Sequence, residues 1–298
     1  MTLTAEPETT TRTRAGALYA AVGMTCVGSS VAVSQVLVDA PLFTAQALRY
    51  GFAAVLLLLI ARLGGRPLPR PRGTDWCWLV AVAAVGLVVF NVAVVRGVEH
   101  AEPAAIGVAV ATVPIALALA GPIAARRRPS PVLVVGALVV TAGAVLVVGV
   151  GRADAEGVFW AVVAMLCEAG FTLLAVPVLR RLGPWVVSLH TVWIAAVALA
   201  VLGIAVEGPA AVARLDTGDL LAALHLAVFV TALAFVLWYT AVGRMGAGRA
   251  GLFTGIAPVA AAVGGVLLGG PVPGPLVWAG TAVVGLGLAI GFASGRAA

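Results

Sequence analysis

The 298-residue chain contains no lysine and little charge of any kind: 10% of its residues are charged, where a soluble domain carries about 25%. That scarcity excludes a water-facing surface over most of the molecule, because 62% of the residues are hydrophobic and no soluble core of this size hides so many. Cysteine is scarce too. Cys26, Cys77 and Cys167 all sit in apolar stretches, which excludes a disulfide framework or a zinc site. The net charge of +6 comes from arginines scattered over short polar connections, and this is not the footprint of a nucleic-acid-binding protein. A phosphate-binding glycine loop, a metal-ligand cluster and a nucleophile elbow are all missing. The connections are too short for a soluble catalytic or ATPase domain. The expectation is no cofactor, no metal and no enzymatic activity.

What is present is apolar length. Runs of about 20 residues follow one another, each sufficient to cross roughly 30 Å of hydrocarbon as a helix and too long for barrel strands. Ten spans are expected. The first five are Ala15 to Leu37, Pro41 to Ile60, Trp76 to Val95, Ala104 to Ala124 and Val132 to Gly151. The second five are Val158 to Val178, Trp185 to Val206, Leu220 to Gly243, Ala250 to Gly269 and Leu276 to Ala293. Met1 to Arg14 is polar and Thr-rich, and reads as a disordered cytoplasmic N-terminus. The apolar stretch after it exceeds a signal-peptide core, so it reads as an uncleaved first span.

Arginine placement sets an orientation. With the N-terminus inside, the inner segments hold Arg12, Arg14, Arg62, Arg66, Arg70, Arg72, Arg126, Arg127, Arg128, Arg180, Arg181, Arg244, Arg249 and Arg296, and the outer segments hold Arg96, Arg152 and Arg214. Fourteen against three places both termini in the cytoplasm of a bacterial inner membrane. Trp76, Trp78, Trp160, Trp185 and Trp278 fall near span ends, where interfacial anchors belong.

The chain also overlies itself. At an offset of 144, Pro114, Pro129 and Pro131 meet Pro258, Pro273 and Pro275, and Gly107, Gly121, Gly136, Gly143 and Gly151 meet Gly251, Gly265, Gly280, Gly287 and Gly295. The first two spans of each half match at 141, where Gly16 meets Gly157, Met24 meets Met165, Cys26 meets Cys167 and Arg49 meets His190. Five spans per half is an odd number, so the second half must start on the opposite side of the membrane. The fold expected is an all-α polytopic membrane protein of ten transmembrane helices in two inverted five-helix repeats, residues 15–151 and 157–295.

The stretches Ala241 to Gly265 (AVGRMGAGRAGLFTGIAPVAAAVGG) and Gly136 to Val148 (GALVVTAGAVLVV), with Arg49 in span two, resemble the EamA-type branch of the drug/metabolite transporter superfamily over nearly the whole chain. The family pattern is a third-helix end, a short turn, a proline-bearing fourth helix and a glycine-rich fifth. The chain departs from it where a glutamate commonly follows each proline-bearing helix: Arg127 and Pro271 stand there. The Gly97 to Ala105 connection is also atypical. The resemblance implies secondary transport, with amino acids, other metabolites and drugs as the family's cargoes and export as the direction.

A few polar residues lie inside the spans. Glu168 is at the centre of span six, where a charged carboxylate costs at least about 2.5 kcal/mol on the insertion scale. It is expected to face the bundle interior, where a protonatable carboxyl is what proton coupling needs. The plainer reading is a glutamic acid bonded to a neighbouring helix. Arg49 cannot shed its charge and, with Gln46 and Tyr50 nearby, either grips a carboxylate or phosphate on the cargo or snorkels to outer headgroups. His190 relays protons, bonds cargo or simply packs, and the same choice holds for His225. Asn91 is a cargo contact or an interhelical hydrogen-bonder, and Trp238 or Tyr239 offers a ring to a flat cargo. Pro114 and Pro258, mid-span, are expected to kink their helices and turn freed carbonyls toward a central cavity. The small residues of spans five and ten, Gly136, Gly143, Gly280, Gly285 and Gly287, read as scaffold or as a homodimer surface.

These residues describe a transporter of a small organic solute, with the proton as coupling ion and the bilayer as partner. The alternatives are an uncoupled facilitator or exchanger on the same fold and, more remotely, an intramembrane lipid-acting enzyme using Glu168 and a histidine as acid and base.

Overall fold

The computed structural model describes residues 6–34, 36–267, 269–270 and 272–293; Met1 to Ala5, Pro271 and the end of the second repeat from Ser294 lie outside them. Ten helices carry the fold: α1 (Glu6–Gly28), α2 (Leu42–Leu63), α3 (Asp75–His100), α4 (Pro103–Ala124), α5 (Pro131–Val148), α6 (Ala155–Leu173), α7 (Val176–Val206), α8 (Thr217–Met245), α9 (Ala247–Leu267) and α10 (Pro275–Ala293). Nine of them, α2 to α10, are long and apolar enough to cross a membrane. α1 starts in the polar N-terminal stretch, continues as a short helix at Ser30–Ser34, and packs along α8 and α9 as the tenth helix. Residues 6–14 are thus helical, where disorder was expected: the apolar stretch that follows gives their helix a nucleus to grow from. Among the described residues the β-structure is a single antiparallel bridge, Ala101 to Ala153. The chain is an all-α, polytopic membrane protein.

The helices alternate in direction. Two sets of contacts mark the two ends of the bundle. At the upper end, Glu207, after α7, accepts from the Phe43 and Thr44 backbone amides at 2.7 and 2.9 Å and from the Thr44 hydroxyl, capping the start of α2. There too Glu102 pairs with Arg152 at 2.9 Å, and Asp154 caps α6 by accepting from the Gly157 amide at 2.8 Å. At the lower end Arg181 pairs with Asp75, and the Arg66 guanidinium lies 4.5 Å from the Trp185 ring centroid. Four helices begin with a proline at the first or second position, where its missing N–H costs nothing. α6 ends at Leu173, before the expected Val178; residues 176–182 are the first segment of α7, set off from the rest by a kink at Gly183, whose φ of 74° suits glycine, followed by Pro184.

The pairing of helices maps onto itself when the halves are exchanged. α1 packs on α8 as α6 packs on α3, while α2 meets α7, α4 meets α9 and α5 meets α10. In lipid such seams form by close packing, not hydrophobic expulsion from water, so small residues line them. A Cβ on Gly143 would lie 2.6 Å from the Val284 backbone nitrogen, and one on Gly287 would lie 2.6 Å from that of Val140. Gly136, Gly143, Gly280 and Gly287 are therefore committed to the α5–α10 seam within one chain. Gly285 alone of the five faces open space and is exposed.

Two walls are irregular. α3 contains a π-helical stretch at Ala84–Val89 and α8 another at Leu226–Leu233. α4 breaks at Thr112, two residues before Pro114, and α9 passes through a 3₁₀ turn, Leu252–Gly255, before Pro258. Each irregularity lies within about a turn before its proline.

Candidate functional site

A cavity of about 190 Å³ lies between α1, α2, α3, α6 and α8. Arg49 and Tyr50 reach it from α2, Asn91 and Phe90 from α3, Glu168 and Phe171 from α6, and Phe235 and Trp238 from α8. Arg49 lies seven residues below the start of α2, about 10 Å down at 1.5 Å per residue, and Glu168, thirteen residues into α6, about 20 Å down. The cavity therefore spans mid-depth and extends toward the upper end.

Each polar wall residue is held by local structure. The π-helical stretch of α3 loosens the regular ladder, and Asn91 Nδ2 donates to the Leu87 carbonyl and, at 3.2 Å, to the Tyr50 hydroxyl. In α8, Thr231 Oγ1 accepts from Arg49 Nε at 2.9 Å, while Gln46 Oε1 accepts from Arg49 Nη1 at 3.3 Å. The guanidinium also stands 5.1 Å from the Tyr50 ring centroid. Arg49 is half-buried and aimed inward, not laid out toward headgroups. Among the described residues, the Glu168 carboxyl has no hydrogen-bond or ion-pair partner. The cavity thus presents a fixed cation above and an unpaired acid below, between aromatic walls.

The cavity floor is closed by aromatic residues. Phe171 stacks at 4.7 Å against Phe235 and 5.1 Å against Tyr239. Trp238 Nε1 donates to Thr172 Oγ1 at 3.0 Å, and the Tyr239 hydroxyl donates to the Phe171 carbonyl at 3.2 Å. These contacts join α6 to α8 below the cavity. Gly86 makes room for them: a Cβ there would fall 2.6 Å from the Phe171 ring.

Four candidate residues lie elsewhere. His190 packs edge-on against Trp76 and Trp193, with Nδ1 2.9 Å from the Val186 carbonyl. Arg49 faces α8 across the cavity, whereas His190 is directed at the lower-end tryptophans. Pro114 and Pro258 do not line the cavity. α4 and α9 pack on each other behind the walls, so their kinks shape the scaffold. His225 sits 3.4 Å from the Ser29 hydroxyl, near the upper rim. Neither histidine lines the cavity with Glu168, the pairing an acid–base enzyme acting on lipid would need.

Met24, Ser30, Phe90, Phe171 and Phe235 line the cavity without having been named as site candidates from sequence. A signal for them existed. At the offsets 141 and 144 the wall positions of the two halves coincide: Val27 with Glu168, Ser30 with Phe171, Gly86 with Val230, Phe90 with Ala234 and Asn91 with Phe235. Once Glu168 was marked, the repeat pointed to Val27 and the helical turns around both.

The architecture is that of a multi-pass membrane protein whose two halves jointly enclose a mainly apolar pocket with a few polar groups in its walls. The family model of the EamA-like transporters matches the chain twice, over residues 14–149 and 155–292, and the chain belongs to that family. It is similar to the uncharacterized transporter YetK of Bacillus subtilis, 28% identical over 268 residues that cover 84% of this chain and 79% of the relative. A solved crystal structure superposes with a TM-score of 0.79 at 21% identity, covering 94% of this chain and 98% of that one, which shows the shared fold. The protein is a membrane transporter.

Proposed function

We propose that the protein moves a small organic metabolite or drug-like solute out of the bacterial cytoplasm by alternating access, coupled to protons at Glu168. The lower end, with the arginine-rich connections, faces the cytoplasm together with both termini. The two half-chains form an inverted repeat whose pseudo-two-fold axis lies in the membrane plane and passes through the cavity. Arg49 holds an anionic group of the cargo with charge-assisted hydrogen bonds, Asn91 and Tyr50 supply neutral polar contacts, and Trp238 with the phenylalanines covers its apolar part.

The observation that carries this reading is the unpaired Glu168 carboxyl in a mid-depth cavity walled by equivalent positions of both halves. A carboxylate without a partner is costly to enclose when charged, so gaining or losing a proton changes the cost of the occluded state. Reconstituted protein is tested for uptake of radiolabelled amino acids, sugars and cationic dyes, with and without an imposed proton gradient. Glu168→Gln is expected to retain exchange of the transported solute but lose the response to the gradient. An undiminished response in Glu168→Gln removes Glu168 from coupling, and flux in the unsubstituted protein indifferent to the gradient makes it an uncoupled facilitator or exchanger.

A further inference from the structure

The two ends of the cavity are closed unequally, and the repeat says what the missing closure is made of. Below, α6 and α8 are joined by Trp238 with Thr172 and by Phe235 with Phe171. Subtracting 144 from the α8 positions and 141 from the α6 positions gives Val94 with Val31 and Asn91 with Ser30, on α3 and on α1 with its short continuation. These are the equivalent positions at the upper end. Neither α6 with α8 nor α1 with α3 shares a packed backbone seam, and where side chains bridge the lower pair, among the described residues no hydrogen bond or ring contact joins Ser30 or Val31 to α3. Val31 is 55% exposed. Ser30 and Asn91 both line the cavity. Among the described residues the Ser30 hydroxyl has no hydrogen-bond partner, and Asn91 uses its amide nitrogen for Tyr50 and Leu87, leaving its oxygen as an open acceptor.

We infer that the upper gate of this protein is α1 closing on α3, with the Ser30 hydroxyl donating to the Asn91 side-chain oxygen and Val31 packing beside Val94. The inference rests on the alternating-access reading and adds to it the identity of a gate. When this gate closes, the Phe171–Phe235–Trp238 contacts part, and the cavity opens downward. The gates differ in chemistry. The lower one is aromatic and carries two side-chain hydrogen bonds; the upper one has a single polar pair between small residues. The arrangement with the cavity open upward is therefore the favoured one without cargo, and the upper gate is the one that cargo or a proton must help to shut.

The test uses the full chain with Cys26, Cys77 and Cys167 replaced by alanine and with Val31→Cys and Val94→Cys introduced. Each single cysteine is first shown to react with a monofunctional maleimide. A short bis-maleimide is then expected to link the pair, and the linked fraction to lose solute flux. Ser30→Ala in the same background is expected to slow linking by about fivefold, the factor that goes with loss of one ordinary intramolecular hydrogen bond. The inference is overturned if both single cysteines react yet the pair never links, if the linked protein still carries flux, or if Ser30→Ala links at the parental rate. Linking is read on the protein itself and needs no known cargo. Flux without linking rejects the gate and leaves the transporter mechanism standing; linking with no flux of any offered solute supports the gate and counts against the proposed cargo class.

Discussion

The α5–α10 seam and the α3–α8 walls come from the same two half-chains, yet they show the repeat in opposite ways. In the seam the halves carry the same residues at matched places: Gly136 with Gly280 and Gly143 with Gly287. Those glycines let two backbones approach to contact distance, a demand that falls on both sides of the seam alike. In the walls the positions match but the residues do not. Glycine faces valine at 86 and 230, serine faces phenylalanine at 30 and 171, asparagine faces phenylalanine at 91 and 235, and valine faces glutamate at 27 and 168. Identity marks where the halves have one structural job, and divergence marks where the cavity needs two different sides.

The largest effect that would break this contrast comes from the seam. Gly143→Leu forces a branched side chain against the Gly280 carbonyl and the Val284 backbone. Overpacking of this kind costs about 1–3 kcal/mol when a neighbour can shift, and more against backbone. The variant is expected to lose most of its monodisperse yield in detergent and to melt well below the parent. Parental yield and melting would show that the seam is loose and that its glycines match for another reason.

The cavity should behave in the opposite way. Arg49→Ala removes a half-buried cation bonded to Thr231 and Gln46, without touching a helix seam. Flux of an anionic or zwitterionic solute is expected to fall by about 10- to 100-fold, the range of a charge-assisted hydrogen bond, while the melting temperature stays near the parental value. Arg49→Lys is expected to recover part of the flux, since it keeps the charge but loses the planar fork. A variant that fails to fold would turn Arg49 from a cargo contact into a packing residue and erase the difference between wall and seam.

The same contrast explains what could be read from the chain before its structure. Nine of the ten expected spans and the division into two repeats were legible, since apolar length and repeated glycines and prolines are properties of the linear sequence. Glu168, Arg49, Asn91 and Trp238 stood out because polar or amphipathic groups are rare at such depths, and the structure sets all four around one cavity. The aromatic floor was not legible. Phe171 and Phe235 look like any lipid-facing phenylalanine in the sequence; the π-helical stretch of α8 ends just before Phe235, and AVGLVV in α3, like LAVFVTAL in α8, carries no mark that separates it from an ordinary helix. His190 misled because equivalence in a repeat fixes depth in the membrane, not the direction in which a long side chain reaches. Pro114 and Pro258 misled because a kink at mid-depth does not say whether its helix stands in the first ring or behind it.

The smallest effect sharpens the comparison at the periphery, where the connections at the upper end are tied by charge and not by close packing. The Arg152 guanidinium beside Glu102 holds its carboxyl below the usual carboxylate range. The Gly157 amide, and then the His100 ring, do the same for Asp154. A group whose pKa is lowered in the folded state adds stability above its unfolded value of about 4, and that stability is lost as pH falls through the folded value. Both carboxyls stand about half exposed at the surface, so the contribution is small and screened by salt. Thermal melts at low ionic strength are expected to shift down slightly between pH 6 and the acid range, at about pH 3. Glu102→Gln should flatten that shift and barely move the melt near neutrality, since surface ion pairs contribute little. A large acid-induced drop that survives this substitution would place the pH-sensitive group inside the bundle, and Glu168→Gln, which leaves the upper connections intact, would then show whether the drop comes from the cavity.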